Sequence, residues 1–456
     1  MPDSQRLGGP DSLPRRLSVW STAAVLIGST IGSGIFRVPS VAAAEGGTVG
    51  AVALLWITGA ILTLFGALTV AELAAMFPRP GGIYVYIHEA YGPLPAFLFG
   101  WTRLLVVQPA LLGGIALIFA SYATTFVPLT DLQLRGLAIL AILIVGAANY
   151  RSMVLGVAIQ NLSTLAKVLA LVGLAVALFL LGDPAGGSFA GLTEADATLP
   201  LSPASWTGFG VALIAVLWAY DGWADATYIA GEVRDPERSL PRALIGGFGV
   251  IVGVYLLLNG AYLFVLPLEV MAASELVAAE AASAALGGAG ASVVGALVLL
   301  STFGALNGTM MSGPRVFFAL GQDGLFFRRL GAIHPRGQTP HIAVLTATIL
   351  GVGYVSVRSF EELAEAFILG LWPFFMLAVL AVFRLRRTRP DAHRAYRTWG
   401  YPVVPALFLG VSALMLLNAL FAQPLSTLYS FGVIASGVPV FLVWGKWTGG
   451  ERPGRV

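Results

Sequence analysis

The segment VLIGSTIGSGIFRVPS, residues 25–40, carries the residue types of a binding site inside an otherwise apolar helix. Gly28, Gly32 and Gly34 stand among two serines and a threonine within seven residues. Each glycine weakens a helix by roughly 0.8–1 kcal/mol relative to alanine. The pattern therefore predicts that the helix is interrupted near residue 32.

An interrupted helix has the chemistry to bind a zwitterion. The half-helix after the break offers unpaired N–H groups and the positive end of its dipole, and the half-helix before it offers unpaired carbonyl oxygens. We expect a carboxylate at the N–H groups of Gly32, Ser33 and Gly34, and an ammonium at the carbonyl oxygen of Thr30 and at those of a second break. The alternative is that Gly28 and Gly32 form a small-xxx-small pattern that lets helices pack closely.

A second interruption is predicted in VLWAYDGWADATYIAGEVRDPERSLPRAL, residues 216–244, where an apolar run meets Asp221 and Gly222. Unsatisfied backbone groups cost several kcal/mol each in lipid, so a break is tolerated only where it lines a polar cavity or meets a ligand. Two polar breaks in one chain favour a transport site over helix packing alone.

The composition is that of a polytopic membrane protein. Of the 456 residues, 57% are hydrophobic and only 11% are charged, whereas soluble domains carry about 25% charged residues. About 20 apolar residues in a helix span a bilayer, and the long unbroken apolar runs favour helices over alternating strands. Twelve such stretches are present, near residues 18–44, 48–77, 91–126, 133–149, 154–181, 205–231, 240–266, 289–320, 341–357, 362–383, 402–420 and 426–446.

The two breaks fall in the first and sixth stretches, five spans apart. This spacing predicts two five-helix repeats of opposite topology, with two further helices at the C-terminal end. The predicted organisation is an N-terminal tail (1–17), a first repeat with an outer loop (18–200), a second repeat (201–390), and the last two helices with a C-terminal tail (391–456).

The distribution of basic residues predicts the orientation. With both termini inside, most of the 26 lysines and arginines fall in cytoplasmic segments, and only Arg37, Arg135 and Arg358 fall near the outer face. The polar N-terminal segment is therefore interpreted as a cytoplasmic tail and not as a signal peptide. The chain contains no cysteine, so it has no thiol or disulfide chemistry.

Five motifs together resemble one known family. IGSTIGSGIF, FPRPGGIYVYIHEAYG, IQNLSTLAKVLAL, WAYDGWADATYIAGEVRDPERSLPRAL and STFGALNGTMMSGPRVFFALGQDG are similar, in this order, to segments of the L-type amino acid transporters of the amino acid–polyamine–organocation superfamily. The resemblance runs from about residue 17 to the end of the twelfth stretch. It implies an all-α membrane fold of the LeuT-like, five-plus-five inverted-repeat type with discontinuous helices 1 and 6. It also implies transport of L-amino acids by alternating access.

The resemblance also implies roles for individual residues. The N–H groups of Ser33 and Gly34 would hold the substrate carboxylate, carbonyl oxygens of Thr30, Trp218 and Asp221 would hold the amine, and Trp218 would form the outer gate. The implied substrate site comprises Thr30, Ile31, Gly32, Ser33, Gly34, Trp218, Ala219, Tyr220, Asp221, Gly222 and Trp372. A lipid-facing or packing role for Trp372 is an equal alternative.

Lys167 lies in the middle of the fifth stretch with no acidic residue in the same segment. A charge at this depth costs at least about 2.5 kcal/mol and marks a functional hypothesis. Snorkelling to water is the alternative, over roughly 20 Å from Val154. By the resemblance, sodium-coupled members of the wider fold hold a sodium ion between the first and eighth helices. The ammonium of Lys167 would replace this ion and donate to carbonyl oxygens beside Gly28, which predicts sodium-independent transport.

The remaining ionisable residues are candidates for substrate contact, helix capping, a structural pair or a gate. Asp225 either faces the cavity, favouring a basic or polar substrate, or caps the inner half of the sixth helix. Glu72 and Arg103 are candidates for a structural pair. A solvated gate network is expected at the inner mouth from Glu232, Arg234, Asp235 and Glu237.

The leading functional hypothesis is a secondary transporter of neutral L-amino acids, by sodium-independent exchange or facilitated uptake. A proton-coupled symporter in which Lys167 changes protonation is the close alternative. An amino-acid-binding receptor is less favoured because the sequence shows no output domain. An enzyme is not expected, because the four histidines lack metal-ligand spacing and no nucleotide-binding loop is present.

The expected partners are the L-amino acid substrate and the lipid bilayer, with no nucleic acid and no cofactor. Eukaryotic relatives join a glycoprotein through an outer-loop cysteine, which this chain lacks. We therefore expect no disulfide-linked heavy subunit and a place in the plasma membrane, namely the inner membrane of a bacterium.

Overall fold

The computed structural model describes residues 13–190, 203–358, 360–422 and 424–447. Within these ranges the chain is all-helical, and the only strand-like pairing is one parallel bridge between Leu17 and Val233. The helices are α1 (Val19–Thr30), α2 (Gly34–Gly46), α3 (Val49–Met76), α4 (Ile83–Tyr91), α5 (Pro93–Thr102), α6 (Gln108–Ala123), α7 (Asp131–Arg151), α8 (Met153–Leu181), α9 (Pro203–Tyr220), α10 (Asp225–Tyr228), α11 (Pro236–Val265), α12 (Leu268–Ala273), α13 (Val277–Leu286), α14 (Gly290–Ser312), α15 (Pro314–Gln322), α16 (His341–Val357), α17 (Phe360–Thr388), α18 (Val403–Ala422) and α19 (Pro424–Trp447). The predicted all-helical fold class is confirmed.

Among the described residues, nine helical segments are long and apolar enough to cross a membrane, and the bent pair α1 and α2 makes a tenth. The helices at 206–220 and 341–357 are apolar but shorter. Each of the twelve predicted stretches coincides with a helix or helix pair, but the count of twelve crossings stays a prediction. The predicted repeats also stay a prediction, and their boundary at residues 200 and 201 lies outside the described residues, as does most of the 1–17 tail.

Local sequence signals set where the helices begin. Hydroxyl side chains of Ser18, Thr48, Thr130 and Ser152 accept hydrogen bonds from backbone N–H groups of the first turn of α1, α3, α7 and α8. These caps satisfy N–H groups that have no partner within the helix. They place four helix starts close to where the apolar periodicity begins.

Both predicted breaks are present. The axes of α1 and α2 meet at 44°, with residues 31–33 between them. The sixth predicted helix ends at Tyr220 and resumes only as the short α10, with Gly222 at φ 103°, a backbone conformation that favours glycine.

Three features were not predicted. A π-helical turn, Arg103–Val107, joins α5 to α6. The helix α4 forms between the second and third predicted stretches, and α12 and α13 form between the seventh and eighth. π-helical turns occur frequently at functional sites, and this one carries Arg103, a buried guanidinium described below.

The broken helices lie at the centre of the bundle. The half-helix α1 packs against α8, α11 and α14, and α2 packs against α9. The layer around them includes α3 and α6. We call the side of the bundle that carries residues 13–18 the N-face.

Candidate functional site

The two helix breaks touch each other. A Cβ built on Gly222 would lie 2.6 Å from Thr30 Oγ1 and 2.8 Å from the Thr30 nitrogen. A Cβ built on Gly34 would lie 2.4 Å from the Ala219 Cα. Because these contacts involve backbone atoms, the glycines are what allow the two unwound segments to meet.

The glycines of the first break also serve close packing. A Cβ on Gly28 would lie 1.8 Å from Gln160 Nε2 on α8, and one on Gly32 would lie 2.8 Å from the Ala305 Cβ on α14. The packing alternative raised from sequence is therefore correct for both glycines. It coexists with the break, because the same small residues bring α8 and α14 against the unwound segment.

A cavity lies at this junction. Its volume is about 10 Å³ for the centre of a water molecule, which is near the minimum for one water. The lining residues are Ser29, Thr30, Gly32, Ser33, Gly34, Leu111, Ile115, Trp218, Asp221, Gly222, Asp225 and Thr309. Entry of a larger ligand therefore requires the walls to separate.

Two of the residues that line this cavity have backbone N–H groups without a partner among the described residues. Within the described chain, no hydrogen bond uses the N–H groups of Ser33 and Gly34, which begin the 13-residue helix α2. The Gly32 N–H, in contrast, donates to the Thr30 carbonyl oxygen at 2.8 Å, so its predicted contact with a carboxylate requires this bond to break. Two adjacent N–H groups at a helix N-terminus form an anion site.

The carbonyl oxygens at the end of α1 already have partners. The Tyr255 hydroxyl of α11 lies 2.8 Å from the Thr30 carbonyl oxygen and 2.9 Å from that of Ala219. The Trp218 carbonyl oxygen accepts the Asp221 N–H at 3.2 Å. Each carbonyl oxygen has a second lone pair, so an ammonium would share these acceptors with the chain.

Lys167 is fully buried, which rules out snorkelling here. Its Nζ donates at 2.8 Å to each of three carbonyl oxygens, those of Gly28, Ile31 and Ser301. Gly28 has lost its helical donor because the chain breaks, and the negative end of the α1 dipole lies here. The expected contact beside Gly28 is present, and the ammonium ties α8 to α1 and α14.

A buried polar cluster lies on the N-face side of the cavity. The Asp225 Oδ2 accepts the Ser312 hydroxyl at 2.7 Å, and the Asp225 Oδ1 is 4.0 Å from Arg103 Nη2. Arg103 also donates to the Tyr228 hydroxyl and the Gln108 Oε1, both at 3.3 Å. Asp225 lines the cavity, as the cavity-facing alternative expects, and it also lies in the first turn of α10, where a carboxylate favours the helix dipole.

Two predictions about charges are corrected at the N-face. Glu232 is 0% exposed and forms a two-point ion pair with Arg315, at 2.8 and 3.1 Å, so it is not part of a solvated network. Glu72 does not pair with Arg103: it binds Arg386 in the last turn of α17 and Arg394 in the loop that follows α17.

Backbone contacts close the N-face beside this pair. The N–H groups of Arg16 and Leu17 both donate to the Glu232 carbonyl oxygen at 2.8 Å, and the Arg234 N–H donates to the Leu17 carbonyl oxygen. The segment before α1 is thus fastened to the segment after α10. Movement of either broken helix at this face must disrupt these bonds.

The two candidate tryptophans lie in different places. Trp218 lines the cavity, and its ring packs edge-on against Phe367 with centroids 4.9 Å apart. Trp372 is not among the lining residues: it packs against Phe375 and Phe408, as the packing alternative expects, and its role in the substrate site stays a prediction.

Other predicted members touch the site only indirectly. Ile31, Ala219 and Tyr220 do not line the cavity. The first two contribute the carbonyl oxygens described above, and the Tyr220 ring packs against Trp56 and Tyr255.

Sequence reasoning missed Tyr255, Ser301, Leu111, Ile115, Thr309 and Ser312. Each lies in an ordinary apolar or small-residue stretch with no local marker. The π-turn and the buried arginine at its start are the one signal that points to this part of the third stretch.

Comparisons with known proteins agree with this geometry. The family described as amino acid permease matches residues 17–444. A serine/threonine exchanger, SteT, of Bacillus subtilis is 30% identical over 94% of this chain and 97% of its own length. The human b(0,+)-type amino acid transporter 1 is 32% identical over 95% of this chain and 88% of its own length. The human cystine/glutamate transporter is 30% identical over 95% of this chain and 86% of its own length.

Proposed function

Because the chain belongs to the amino acid permease family and is an amino acid transporter, we propose that it carries neutral L-amino acids by alternating access, through sodium-independent exchange or facilitated uptake. The main support is the junction of the two broken helices. Ser33 and Gly34, whose N–H groups have no partner among the described residues, line a cavity there together with Asp221 and Trp218. The relatives are amino acid transporters or exchangers by name, which supports exchange as one of the modes.

The proposed binding pose uses both charges of the substrate. The α-carboxylate binds at the N-terminus of α2, where N–H groups and the dipole favour an anion. The α-ammonium binds near the second break, beside Asp221 and the carbonyl oxygen of Trp218. The shared lone pairs at this end make the ammonium contact the weaker of the two.

Sodium independence rests on Lys167. Its three hydrogen bonds place a fixed positive charge between α1 and α14, the region that the resemblance assigns to sodium. A second cation at the same carbonyl oxygens would meet like-charge repulsion in a medium of low dielectric constant. We propose that the ammonium replaces the ion permanently.

We further propose that the N-face is cytoplasmic and that the membrane is the inner membrane of a bacterium. The basic residues concentrate in the segments at this face, among them the run between Arg384 and Arg397. Because the chain has no cysteine, a disulfide-linked heavy subunit is not part of the proposal.

The test uses purified protein in liposomes, with uptake of each of the twenty labelled amino acids measured with and without an internal amino acid. The proposal expects uptake of neutral amino acids at an unchanged initial rate when sodium is replaced by a large organic cation. A sodium-dependent rate contradicts the role of Lys167, and uptake that follows an imposed pH gradient favours the proton-coupled alternative. Absence of uptake and binding for all twenty contradicts the function itself.

A further inference from the structure

The carboxylate of Asp225 lies in the cavity wall and is fixed from two sides. Ser312 of α14 donates to the Oδ2 atom at 2.7 Å, and Arg103 of the π-turn stands 4.0 Å from the Oδ1 atom, beyond hydrogen-bond distance. All three residues are buried. The Ser29 hydroxyl, which donates to the Val25 carbonyl oxygen at 2.7 Å, also lies beside this carboxylate. No hydrogen bond to the Oδ1 atom is present among the described residues, so this atom keeps acceptor capacity in the cavity wall.

Two buried hydroxyls share this wall. The Oγ1 atoms of Thr30 and Thr309 have no hydrogen-bond partner among the described residues, although both threonines line the cavity. Buried polar groups are nearly always hydrogen-bonded, so unpaired ones beside a cavity indicate a polar group on the ligand. Leu111 and Ile115 form an apolar part of the lining.

The charge balance favours a neutral donor over a second cation. Arg103 supplies a positive charge beside Asp225, so the carboxylate does not need a cationic ligand to be compensated. The other carboxylate of the cavity, Asp221, lies at the break itself, in the region proposed for the α-ammonium. The Oδ1 atom of Asp225 has no donor within hydrogen-bond distance among the described residues.

We propose that Asp225, positioned by Arg103 and Ser312, is a specificity-determining residue that selects amino acids with a short side chain donating a hydrogen bond. The inference rests on the proposed function and narrows its substrate class. L-Threonine and L-valine provide the sharpest comparison, because they have nearly the same shape and differ by a hydroxyl in place of a methyl. A hydrogen bond to a charged acceptor gives threonine a preference of roughly 10-fold or more.

The test measures apparent dissociation constants of both amino acids from the thermal stabilisation of purified protein in detergent. Wild type should bind threonine at least about 10-fold more tightly than valine. In Asp225→Ala the two dissociation constants, for valine and for threonine, should differ by no more than about 3-fold. In Asp225→Asn, which keeps a neutral acceptor, the preference for threonine should lie between those of wild type and Asp225→Ala. The matched control, Asp391→Asn, changes an exposed aspartate in the loop after α17 and should keep the wild-type ratio.

Removing one partner of a buried ion pair can prevent folding, so the double variant Arg103→Met, Asp225→Ala removes both charges. It should be stable and show the same lost preference as Asp225→Ala. A wild-type ratio near one, or an unchanged ratio in either alanine-containing variant, overturns the inference. If the protein binds other amino acids but not threonine, the inference about Asp225 is overturned and the proposed function is not. If it binds none of the twenty, the proposed function itself is overturned.

Discussion

Replacing Lys167 with alanine should change the balance between the two open states of the transporter, beyond any local weakening of the site. The ammonium makes two hydrogen bonds to α1, at Gly28 and Ile31, and one to α14, at Ser301. In alternating access by a five-plus-five fold, one part of the structure rocks against the rest. If α1 moves away from α8 in one state, at least one of its two bonds must break in that state.

The magnitude follows from the bond type. A hydrogen bond from a charged donor contributes about 1.5–3 kcal/mol, so loss of one such bond from a single state changes the ratio of states by roughly 10- to 150-fold. Removing the ammonium also removes its desolvation cost, but this cost is similar in both states as long as the lysine stays buried. The variant therefore alters the free-energy difference between the two states.

The assay is transport in liposomes with the protein in one orientation, with half-saturation measured separately from each side. A change of conformational balance alters apparent affinity more on the side whose open state gains or loses population. Lys167→Met serves as a second variant, since it keeps the length of the side chain without the charge. The difference in half-saturation between the two sides should be the same in Lys167→Met as in Lys167→Ala.

Two results would refute this reasoning. Equal proportional changes on both sides would leave Lys167 with a purely local role. A wild-type profile in both variants would show that the three hydrogen bonds contribute equally to both states. Thermal stability of each purified variant, measured alongside, separates a shift between folded states from loss of folded protein.

Three further predictions follow from the contacts. Gly34→Val should abolish binding and lower stability by about 1–3 kcal/mol, because its Cβ would overlap the Ala219 backbone; wild-type affinity would contradict this. Tyr255→Phe, which removes only the hydroxyl between the two breaks, should lower stability by about 0.5–1.5 kcal/mol per lost hydrogen bond and raise the half-saturation concentration; unchanged values of both would show that the bridge has no role. Glu232→Gln should leave Arg315 buried without its counter-charge and so destabilise the state in which the N-face is closed. A cysteine introduced near the cavity should then be labelled faster by a reagent added at the N-face, and an unaltered labelling rate would contradict a gating role.

Local rules predicted the helices and the two breaks from sequence. Glycines at 32 and 34 and at 222 mark where a helix cannot continue, and long apolar runs mark the helices themselves. The same rules missed the π-turn at Arg103, because a π-turn has no compositional signature of its own. They also misassigned the partner of Glu72, which depends on the end of α17 and the loop after it, more than 300 residues away in the chain.

The sequence by itself determined that this chain crosses a membrane, that two of its helices are broken, and that Lys167 is a costly charge requiring a partner. These are properties of single segments, set by hydropathy, glycine content and the cost of a charge in lipid. Only the tertiary structure decided that the glycines of the breaks pack against each other's helices, that Tyr255 and Lys167 bind the carbonyl oxygens freed at the end of α1, and that Asp225 faces the cavity. The reason is geometric: which orphaned backbone group meets which side chain depends on the relative positions of α1, α8, α9, α11 and α14, and no local pattern in the sequence encodes those positions.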